Sequence, residues 1–345
     1  MTDQPTGAEM KPLLALVADG KALDSGQAEK AFDIIMSGEA TPSQIGAFLM
    51  ALRVRGETAE EITAAARVMR AKVLKVTAPE GAIDIVGTGG DNSGTFNIST
   101  STAFVVAGCG VPVAKHGNRA LSSKSGAADI LSALGINTEA DMSLVERAIA
   151  DAGIGFLFAP RHHSAMRHVM PTRMELGTRT LFNLLGPLTN PALVTRQMTG
   201  AFSKAWIEPM AAALGALGLE RAWVVNGSDG LDEITLTGPT HVAEWRDGKV
   251  TTYDIRPEDA GLAPCSPDDL KGGDATLNAA ATMAMLEGAE GPLRDVVLLN
   301  AAASLMVAGK ADDLKTGVGI AAQSIDSGAA RAALDKLVAI TNGAA

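Results

Sequence analysis

The stretch AIDIVGTGGD, residues 82–91, decides the fold class of this chain. Its first half is a short β-prone run, and a glycine-rich turn follows directly. Glycines at the end of a strand let the backbone approach a ligand closely and present N–H groups to anionic oxygens, although an ordinary turn has the same composition. Neither standard phosphate motif fits, because the dinucleotide fingerprint needs glycine where Asn92 stands and the nucleoside-triphosphate loop needs lysine where Thr95 stands.

Downstream of this stretch, short strands alternate with helices. The predicted strands are 111–114, 154–158 and 222–226, the predicted helices are 100–107, 127–134 and 143–152, and a hairpin is predicted over 241–254. This order predicts an α/β fold with a large domain, whose mainly parallel sheet is flanked by helices. Residues 172–199 lack the alternation, so we expect this segment to leave the α/β domain and return. Ala-rich helices are predicted from residue 276 onward.

Upstream of residue 82 the pattern is helical. The segment Thr41-Pro42-Ser43-Gln44 combines an N-cap, a first-turn proline and a capping-box partner, and apolar residues follow at helical spacing over 45–52. Thr58 and Glu61 repeat the capping pattern before a second helix. This region therefore predicts a small all-α unit.

The composition limits the classes of protein to which the chain can belong. Its 345 residues suffice for about two domains, and 47% hydrophobic residues exclude a disordered chain. The net charge of −10 argues against nucleic acid or an anionic membrane as a partner. Two cysteines cannot form a disulfide framework, and neither a signal peptide nor a membrane-spanning run is recognisable. We therefore expect a soluble, cytoplasmic protein.

Two polar segments after the first two predicted strands carry groups that suit a phosphate. Asn97-Ile98-Ser99-Thr100 opens a helix, where hydroxyls and free N–H groups meet the positive end of the helix dipole; capping alone would explain only one of these residues. The block 115–126 holds three Lys or Arg residues, three serines and two glycines. Mobile ammonium groups and short donors of this kind bind phosphate oxygens, and the alternative is a solvated basic loop.

Residues further along the chain suggest a metal site and a substrate clamp. Asp232-Glu233 follows a strand and a turn, and paired carboxylates beside a polyphosphate suit Mg²⁺, although such pairs are also common on surfaces. The segment 161–168 is rich in His and Arg, but zinc ligation lacks carboxylate or thiolate partners at metal spacing, so a helix facing a cleft is favoured. Arg173 would suit a substrate carboxylate.

Six motifs, in order, resemble the anthranilate phosphoribosyltransferase family. Any one of them is a weak signal, but six in sequence are specific, and the likeness covers residues from about 30 to about 340. The motifs are QIGAFLMAL at 44–52, GTGGD at 87–91, NIST at 97–100, KHGNR at 115–119, GPLTNP at 186–191 and DE at 232–233.

The resemblance implies a large α/β domain with a second, small all-α domain, and a homodimer joined through the small domains. Residues 1–79 and 174–199 would form the small domain. Residues 80–173 and 200–345 would form the large domain, which would carry the phosphoribosyl pyrophosphate and metal site. The active site would lie in the hinge cleft between the two domains.

The implied reaction is transfer of the 5-phosphoribosyl group from phosphoribosyl pyrophosphate to the amine of anthranilate, the second step of tryptophan synthesis from chorismate. N-(5-phosphoribosyl)anthranilate would form with inversion, and pyrophosphate would leave. An oxocarbenium-like transition state would need charge stabilisation and alignment of the amine, not a covalent nucleophile. The resemblance implies a transferase that depends on Mg²⁺, with two ions per subunit.

The resemblance also implies, position by position, which residues bind each group. Phosphoribosyl pyrophosphate would be bound by Gly87, Gly90, Asp91, Thr95, Asn97, Ile98, Ser99, Thr100, Lys115, Gly117, Asn118, Arg119, Ser123 and Ala127. Anthranilate would be bound by Gly87, His116, Asn118, His163 and Arg173, and Mg²⁺ by Ser99, Asp232 and Glu233. Ala127 stands where family members often have Ser, and Met166 where some have Tyr, so one phosphate donor would be missing and the anthranilate channel would differ.

Two other functions stay open on the sequence alone. A pyrimidine nucleoside phosphorylase would share the fold but would use inorganic phosphate and a nucleoside, and would need neither the acidic pair nor the 115–119 motif. A non-catalytic relative that binds nucleic acid through the same cleft would need a basic surface, which the net charge of −10 opposes.

Overall fold

The computed structural model describes residues 7–91, 93–119 and 125–343. Its first elements are the helices α1 (Met10–Ala18), α2 (Ser25–Met36), α3 (Pro42–Arg55) and α4 (Ala59–Lys72). Both predicted capping boxes are present. The side chain of Thr41 accepts from the N–H of Gln44 at the start of α3, and Thr58 accepts from Glu61 at the start of α4. The helical interpretation of this region is confirmed.

Strands and helices alternate after α4. The first half contains β1 (Ile83–Gly87), α5 (Ile98–Gly108), β2 (Val113–Gly117), α6 (Ala127–Ala133), α7 (Met142–Asp151), β3 (Ile154–Phe158) and α8 (Ala159–His162). The second contains α9 (Met170–Leu176), α10 (Phe182–Leu188), β4 (Arg196–Gly200), α11 (Ile207–Ala216), β5 (Arg221–Gly227), β6 (Thr240–Arg246) and β7 (Lys249–Ile255). The last helices are α12 (Ala275–Leu286), α13 (Pro292–Val307), α14 (Leu314–Asp326) and α15 (Ala329–Thr341).

The strands of the described residues form one sheet in the order β3-β2-β1-β4-β5-β6-β7. The strands from β3 to β5 pair in parallel, whereas β6 and β7 add an antiparallel hairpin, so the predicted fold class is confirmed. The chain builds outward from β1 to β2 and β3 on one side and places β4 and β5 on the other. Open parallel sheets bind ligands at the carboxyl ends of the strands at such a switch point.

Different helices cover the two faces of the sheet. The helices α5, α13, α14 and α15 pack in the core of one face, and α13 is buried along most of its length. On the other face, α11 packs against β5 and β6, and its apolar core continues into α1 to α4 and α10. The N-terminal helices therefore share a core with the sheet. No helix in the described part of the chain is long and apolar enough to cross a lipid bilayer.

The structure differs from the sequence prediction in residues 172–199. This segment contains most of α9, all of α10 and the start of β4, a strand inside the sheet that the sequence pattern did not reveal. Gln197 and Thr199 of β4 are fully buried and interrupt the apolar run that is typical of a buried parallel strand. The Gln197 side-chain amide donates to the Pro187 carbonyl at 2.6 Å. Gly186 and Pro187, a pair that is typical of turns, lie inside α10.

Candidate active site

Two glycines end neighbouring strands at the switch point. Gly87 is the last residue of β1, Gly200 is the last residue of β4, and the two are paired in register. A Cβ atom added to Gly87 would lie 2.5 Å from Oδ2 of Asp232, and one added to Gly200 would lie 1.5 Å from the carbonyl oxygen of Asp232. Both positions therefore need glycine so that Asp232 can reach the carboxyl ends of the strands.

The carboxyl groups of Asp91, Asp232 and Glu233 form a cluster at this edge. The N–H of Gly89 donates to Oδ2 of Asp232 at 2.7 Å, and the N–H of Ser99 donates to Oε1 of Glu233 at 3.1 Å. Burial raises the pKa of Asp232 well above its usual range, and the charges of the other two carboxylates raise it further. Burial also raises the pKa of Glu233 to about 7, against hydrogen bonds from Ser99 that lower it. This carboxyl cluster is a costly arrangement without a cation.

A buried lysine lies beside the carboxyl cluster. Lys115 is 3% exposed, and its Nζ donates to the Ile85 carbonyl at 2.5 Å and to Oγ of Ser99 at 3.3 Å. Burial lowers the pKa of Lys115, while the carboxylates around it raise that pKa. The prediction of a mobile ammonium group on a loop is wrong for Lys115, because β2 extends to Gly117 and encloses the lysine stem in the sheet.

The oxygen ligands at this edge of the sheet suit Mg²⁺, which completes its coordination with phosphates and waters. They do not suit a metal that is coordinated by protein side chains alone. Within residues 7–91, 93–119 and 125–343, no group of three His, Cys, Asp or Glu side chains is placed to hold a metal ion alone. Mg²⁺ is commonly bound by one or two carboxylates together with substrate phosphates and waters. Asp232 and Glu233, with the Ser99 hydroxyl nearby, form such an incomplete set, and a cation would relieve their repulsion.

The NIST motif begins α5 at the same edge. Oδ1 of Asn97 accepts from Oγ of Ser125 at 3.1 Å and from Nδ2 of Asn278 at 2.9 Å, so the start of α5 is tied to two distant segments. Asn278 is a buried residue of α12 that nothing in the sequence pattern singled out. Thr95, in the loop before α5, forms an isolated bridge with Lys271.

The remaining two residues of the motif have different environments. Ile98 is 1% exposed and belongs to the apolar core, so only its backbone can face a ligand. Thr100 is equally buried in the first turn of α5. The motif thus supplies both the helix start and the packing that holds it.

Residues at the end of β2 mainly organise the chain around them. A Cβ atom added to Gly117 would lie 2.8 Å from the Phe156 ring and 3.1 Å from Cβ of Ala127, so this glycine allows α6 to pack closely on the strand. The Asn118 carbonyl accepts from the N–H of Ala128 at 3.1 Å. Ala127 carries no hydroxyl, so the side-chain donor expected from the family pattern is missing here.

The Arg119 side chain contacts Glu139 and Phe158 and not the carboxyl cluster. It is exposed, its Nη2 lies 3.1 Å from Oε1 of Glu139, and its guanidinium stacks 5.4 Å from the centroid of the Phe158 ring. A phosphate would have to compete with Glu139 for this cation. Ser123, also expected to bind phosphate, lies outside the described residues.

His116 and His163 form a buried pair of imidazoles. Their Nε2 atoms are 3.2 Å apart, and Nδ1 of His116 lies 3.1 Å from the Gly186 carbonyl. A carbonyl only accepts, so His116 carries its hydrogen on Nδ1 and Nε2 of His163 donates to Nε2 of His116. Burial lowers the pKa of both residues, that of His163 to about 4, so both rings are neutral at pH 7.

Arg173 lies on α9 beside weak acceptors. Its guanidinium is 5.5 Å from the centroid of the Phe182 ring, and Nη1 is 3.8 Å from Sδ of Met170. An aromatic face and a thioether hold the side chain in place without saturating its strong donors. Arg173 can therefore bind a ligand carboxylate.

Sequence reasoning missed Arg179, which contacts the glycine loop (residues 87–91). Nη2 of Arg179 donates to the Gly90 carbonyl, and the guanidinium stacks on Phe202 with 4.4 Å to the ring centroid. Arg179 lies between α9 and α10, far from the loop in sequence, and no spacing or composition signal points to it.

Sequence reasoning also missed Asp84 as a polar anchor. This residue of β1 is fully buried, accepts from the His116 N–H at 3.0 Å and accepts from Nδ2 of Asn190 at 2.7 Å. An acidic residue between two isoleucines of a buried strand was the available signal, because a buried carboxylate needs donors.

Two family models match this chain. The helical bundle domain of a glycosyl transferase family matches residues 11–73, and the a/b domain of a glycosyl transferase family matches residues 79–331. The matches cover the N-terminal helices and most of the α/β region.

Relatives and solved structures match nearly the whole chain. The anthranilate phosphoribosyltransferase of Rhodospirillum rubrum is 63% identical over 341 residues, 99% of this chain and 98% of the relative. That of Azospirillum brasilense is 64% identical over 334 residues, 97% of this chain and 94% of the relative. The crystal structure of anthranilate phosphoribosyltransferase from Thermus thermophilus has a TM-score of 0.91 at 44% identity and covers 96% of this chain and 99% of that one.

The enzyme from Saccharomyces cerevisiae in complex with phosphoribosyl pyrophosphate and Mg has a TM-score of 0.89 at 31% identity, covering 97% of this chain and 98% of that one. These similarities agree with the buried carboxyl cluster and the polar start of α5 at the switch point. The chain belongs to the anthranilate phosphoribosyltransferase family.

Proposed function

We propose that this protein transfers the 5-phosphoribosyl group of phosphoribosyl pyrophosphate to the amine of anthranilate and releases pyrophosphate. The observation that carries the proposal is the carboxyl cluster with Lys115 at the switch point of the sheet. Relatives that share more than 60% identity over nearly the whole chain support it, as does the yeast relative solved with phosphoribosyl pyrophosphate and Mg.

The phosphoribosyl donor would bind at the carboxyl ends of β1 and β2. N–H groups of the glycine loop and of the first turn of α5 suit phosphate oxygens, because glycine-rich backbone and helix N-termini both present N–H donors to anions. Those of Gly89 and Ser99 donate to Asp232 and Glu233, so a phosphate would share or replace these acceptors. Lys115 would offset the charge that develops on the leaving pyrophosphate. Mg²⁺, held by Ser99, Asp232 and Glu233, would neutralise phosphate charge when bound. The remaining proposed donor-binding residues are Gly87, Gly90, Asp91, Thr95, Asn97, Ile98, Thr100, Gly117, Asn118, Arg119, Ser123 and Ala127.

Anthranilate would bind next to the imidazole pair. Arg173 would contact its carboxylate, and Gly87 and Asn118 are the other proposed contacts. Because the hydrogen positions of the pair are set by the Gly186 carbonyl, Nδ1 of His163 is left as an acceptor, suited to the proton of the attacking amine. A neutral pair also avoids placing a cation beside the developing oxocarbenium centre.

We also propose two Mg²⁺ ions per subunit. Asp91 supports this stoichiometry, because its carboxylate adds a third negative charge to the pair formed by Asp232 and Glu233. Equilibrium dialysis of Mg²⁺ with and without phosphoribosyl pyrophosphate measures the number directly. One ion per subunit at saturation would contradict it.

The proposed enzyme has a hinge cleft between a small domain, residues 1–79 and 174–199, and a large domain, residues 80–173 and 200–345. Residues 196–199 belong to β4 of the sheet, so the chain returns to the large domain before Arg196. Packing of α10 on α4, and of α9 on α3, supports a small domain made from both segments. The helix α9 itself runs across the boundary at residue 173, so the hinge would lie at one of its ends.

A homodimer is part of the same proposal. Val54 on α3 and Met174 on α9 are 83% and 76% exposed, and they lie on two helices that pack together. Exposed apolar side chains on adjacent helices suit an interface. Sedimentation equilibrium tests the dimer, and a monomer at micromolar concentration would contradict it.

The free thiols Cys109 and Cys265 agree with a cytoplasmic enzyme.

The decisive assay follows the loss of anthranilate fluorescence. We expect loss only when phosphoribosyl pyrophosphate and Mg²⁺ are both present, and we expect EDTA to stop it. Cleavage of pyrimidine nucleosides with inorganic phosphate, in the absence of anthranilate turnover, would instead identify a nucleoside phosphorylase. A folded protein without either activity that retains nucleic acid would identify a non-catalytic relative.

A further inference from the structure

The glycine loop is held from outside the site by an arginine. Nη2 of Arg179 donates to the Gly90 carbonyl, and a Cβ atom added to Gly90 would lie 3.7 Å from Nε and 3.8 Å from Nη2 of Arg179. The guanidinium group is therefore in contact with the backbone at this position.

The contact determines which way one peptide group points. In a planar trans peptide the carbonyl and the following N–H point in opposite directions, so fixing the Gly90 carbonyl also fixes the N–H of Asp91. Gly90 has a φ of +76°, and glycine reaches several backbone conformations at similar cost. The glycine sequence alone therefore does not select this orientation, and a partner outside the loop has to do so.

Arg179 is itself anchored on both sides. Its guanidinium stacks on Phe202, and the N–H of Phe202 donates to Oγ1 of Thr88 at 2.9 Å, which ties this platform to the same loop. The backbone carbonyl of Arg179 accepts from Nη1 of Arg53 on α3. The chain of contacts thus runs from the N-terminal helices through Arg179 to the glycine loop.

We infer that Arg179 is a positioning residue for the pyrophosphate group: it holds the Gly90 carbonyl away from the site, so that the Asp91 N–H faces the phosphate oxygens. The inference rests on the proposed function and adds to it a residue outside the expected binding set. Phe202 is the platform through which Arg179 keeps its orientation. Because Arg179 lies between α9 and α10, movement of the proposed small domain would reach the pyrophosphate through this contact.

The test separates donor binding from acceptor binding. We expect Arg179→Met to raise the KM for phosphoribosyl pyrophosphate by about 10-fold to 100-fold and to leave the KM for anthranilate within about threefold. Calorimetric binding of inorganic pyrophosphate in the presence of Mg²⁺ should weaken by a similar factor. Arg179→Lys keeps the charge but loses the planar donor pair, so it should restore only part of the affinity.

Phe202→Leu supplies the readout that a general loss of structure would not give. It should weaken pyrophosphate binding less than Arg179→Met, and the double variant should resemble Arg179→Met alone, because both residues act through one contact. Arg196→Met is the matched control, since Nη1 of Arg196 also donates to a backbone carbonyl, that of Ala308 at 2.6 Å, at the opposite end of the sheet.

Three results would overturn the inference. They are unchanged pyrophosphate affinity in folded Arg179→Met, full recovery by Arg179→Lys, and strictly additive effects of Arg179→Met and Phe202→Leu. Full recovery by lysine would show that only charge matters, and additivity would show that Phe202 is not the platform. A wild-type chain without turnover would contradict the proposed function, and the pyrophosphate titration would still decide the role of Arg179.

Discussion

Asp84 and Asp232 of the carboxyl cluster are both buried near β1, but their surroundings differ. Asp84 accepts from the His116 N–H and from the Asn190 amide, and Asn190 also donates to the Ala114 carbonyl at 2.8 Å. Burial raises the pKa of Asp84 to about 6, while the hydrogen bonds and the charge of Lys115 lower it. Around Asp232, by contrast, the neighbouring carboxylates raise the pKa in the same direction as burial does.

The difference distinguishes a structural polar group from one that awaits a ligand. A buried polar group whose partners are complete stabilises one arrangement of the chain. Like charges placed together in a buried site cost free energy until a cation binds, and such sites are typical of function. Asp84 thus holds the segment after α10 against β1 and β2, whereas Asp232 and Glu233 are the proposed ligands of a cation.

Neutralising the carboxyl cluster should give the largest effect. We expect Asp232→Asn with Glu233→Gln to reduce turnover by about 1,000-fold or more, because the charge that offsets the leaving group is lost with the cation. The melting temperature should stay equal or rise, since the raised pKa of each group means that its ionised form is disfavoured in the fold. Near-normal turnover in a folded double variant would contradict the metal assignment.

Replacing Asp84 should mainly lower the stability of the fold, whereas neutralising the carboxyl cluster should mainly lower turnover. Asp84→Ala leaves two buried donors without an acceptor and removes a counter-charge of Lys115, so we expect a loss of about 3–5 kcal/mol in the free energy of unfolding. Asp313→Ala removes an exposed helix cap, in which Oδ1 accepts from the Thr316 N–H, and should cost about 1 kcal/mol. Urea denaturation compares the two, and equal losses would contradict the buried role of Asp84.

The imidazole pair of His116 and His163 should make the stability of the fold depend on pH. The pKa of His163 is about 4 in the fold, against an ordinary value of 6.5. The unfolded chain therefore binds more protons between these values, and His163 should lower the free energy of unfolding by up to about 3 kcal/mol as the pH falls from 6.5 towards 4.

Asp84 acts in the opposite direction over part of the same pH range, because its raised pKa favours the acid form of the fold. The effect of His163 is therefore measured as the difference between wild type and His163→Gln in urea denaturation at several pH values. As the pH falls from 6.5 towards 4, the free energy of unfolding of wild type should fall by up to about 3 kcal/mol relative to that of His163→Gln. Parallel curves across the range would show that His163 is not buried as a neutral ring.

Replacing Arg173, which lies outside the carboxyl cluster and the imidazole pair, should give the smallest of these effects. We expect Arg173→Ala to raise the KM for anthranilate by about 10-fold to 100-fold, with a smaller change in the KM for phosphoribosyl pyrophosphate. Initial rates with each substrate varied in turn measure the split. The reverse pattern would move Arg173 out of the anthranilate site.

The sequence predicts well what local chemistry controls. The capping boxes at Thr41 and Thr58 need only a few consecutive residues, and both are present. Strand β3 was predicted over its full length because an apolar run of five residues follows a glycine stop. The metal site at Asp232 and Glu233 stays a prediction, which rests on paired carboxylates beside phosphate-binding motifs.

What the sequence misses depends on partners that are distant along the chain. Strand β4 escaped prediction because the buried polar residues Gln197 and Thr199 interrupt its apolar run, and the Pro187 carbonyl that accepts from Gln197 lies outside the strand. Lys115 was placed on a loop because a lysine is rarely buried unless a carbonyl and carboxylates surround it. Arg179 contacts Gly90, which lies 89 residues away in sequence. Local sequence patterns do not reveal contacts between residues that are distant along the chain.

Gly87 and Gly200 extend this lesson to residues that have no side chain at all. Each leaves a space that Asp232 occupies, with its carboxylate at Gly87 and its backbone carbonyl at Gly200, so even one added methyl group would displace Asp232. In a saturation library screened for turnover, these two positions should therefore reject substitutions as strictly as the acidic pair does. A map of mutational tolerance would then mark both positions as functional, although each contributes only the absence of a side chain, which leaves room for Asp232.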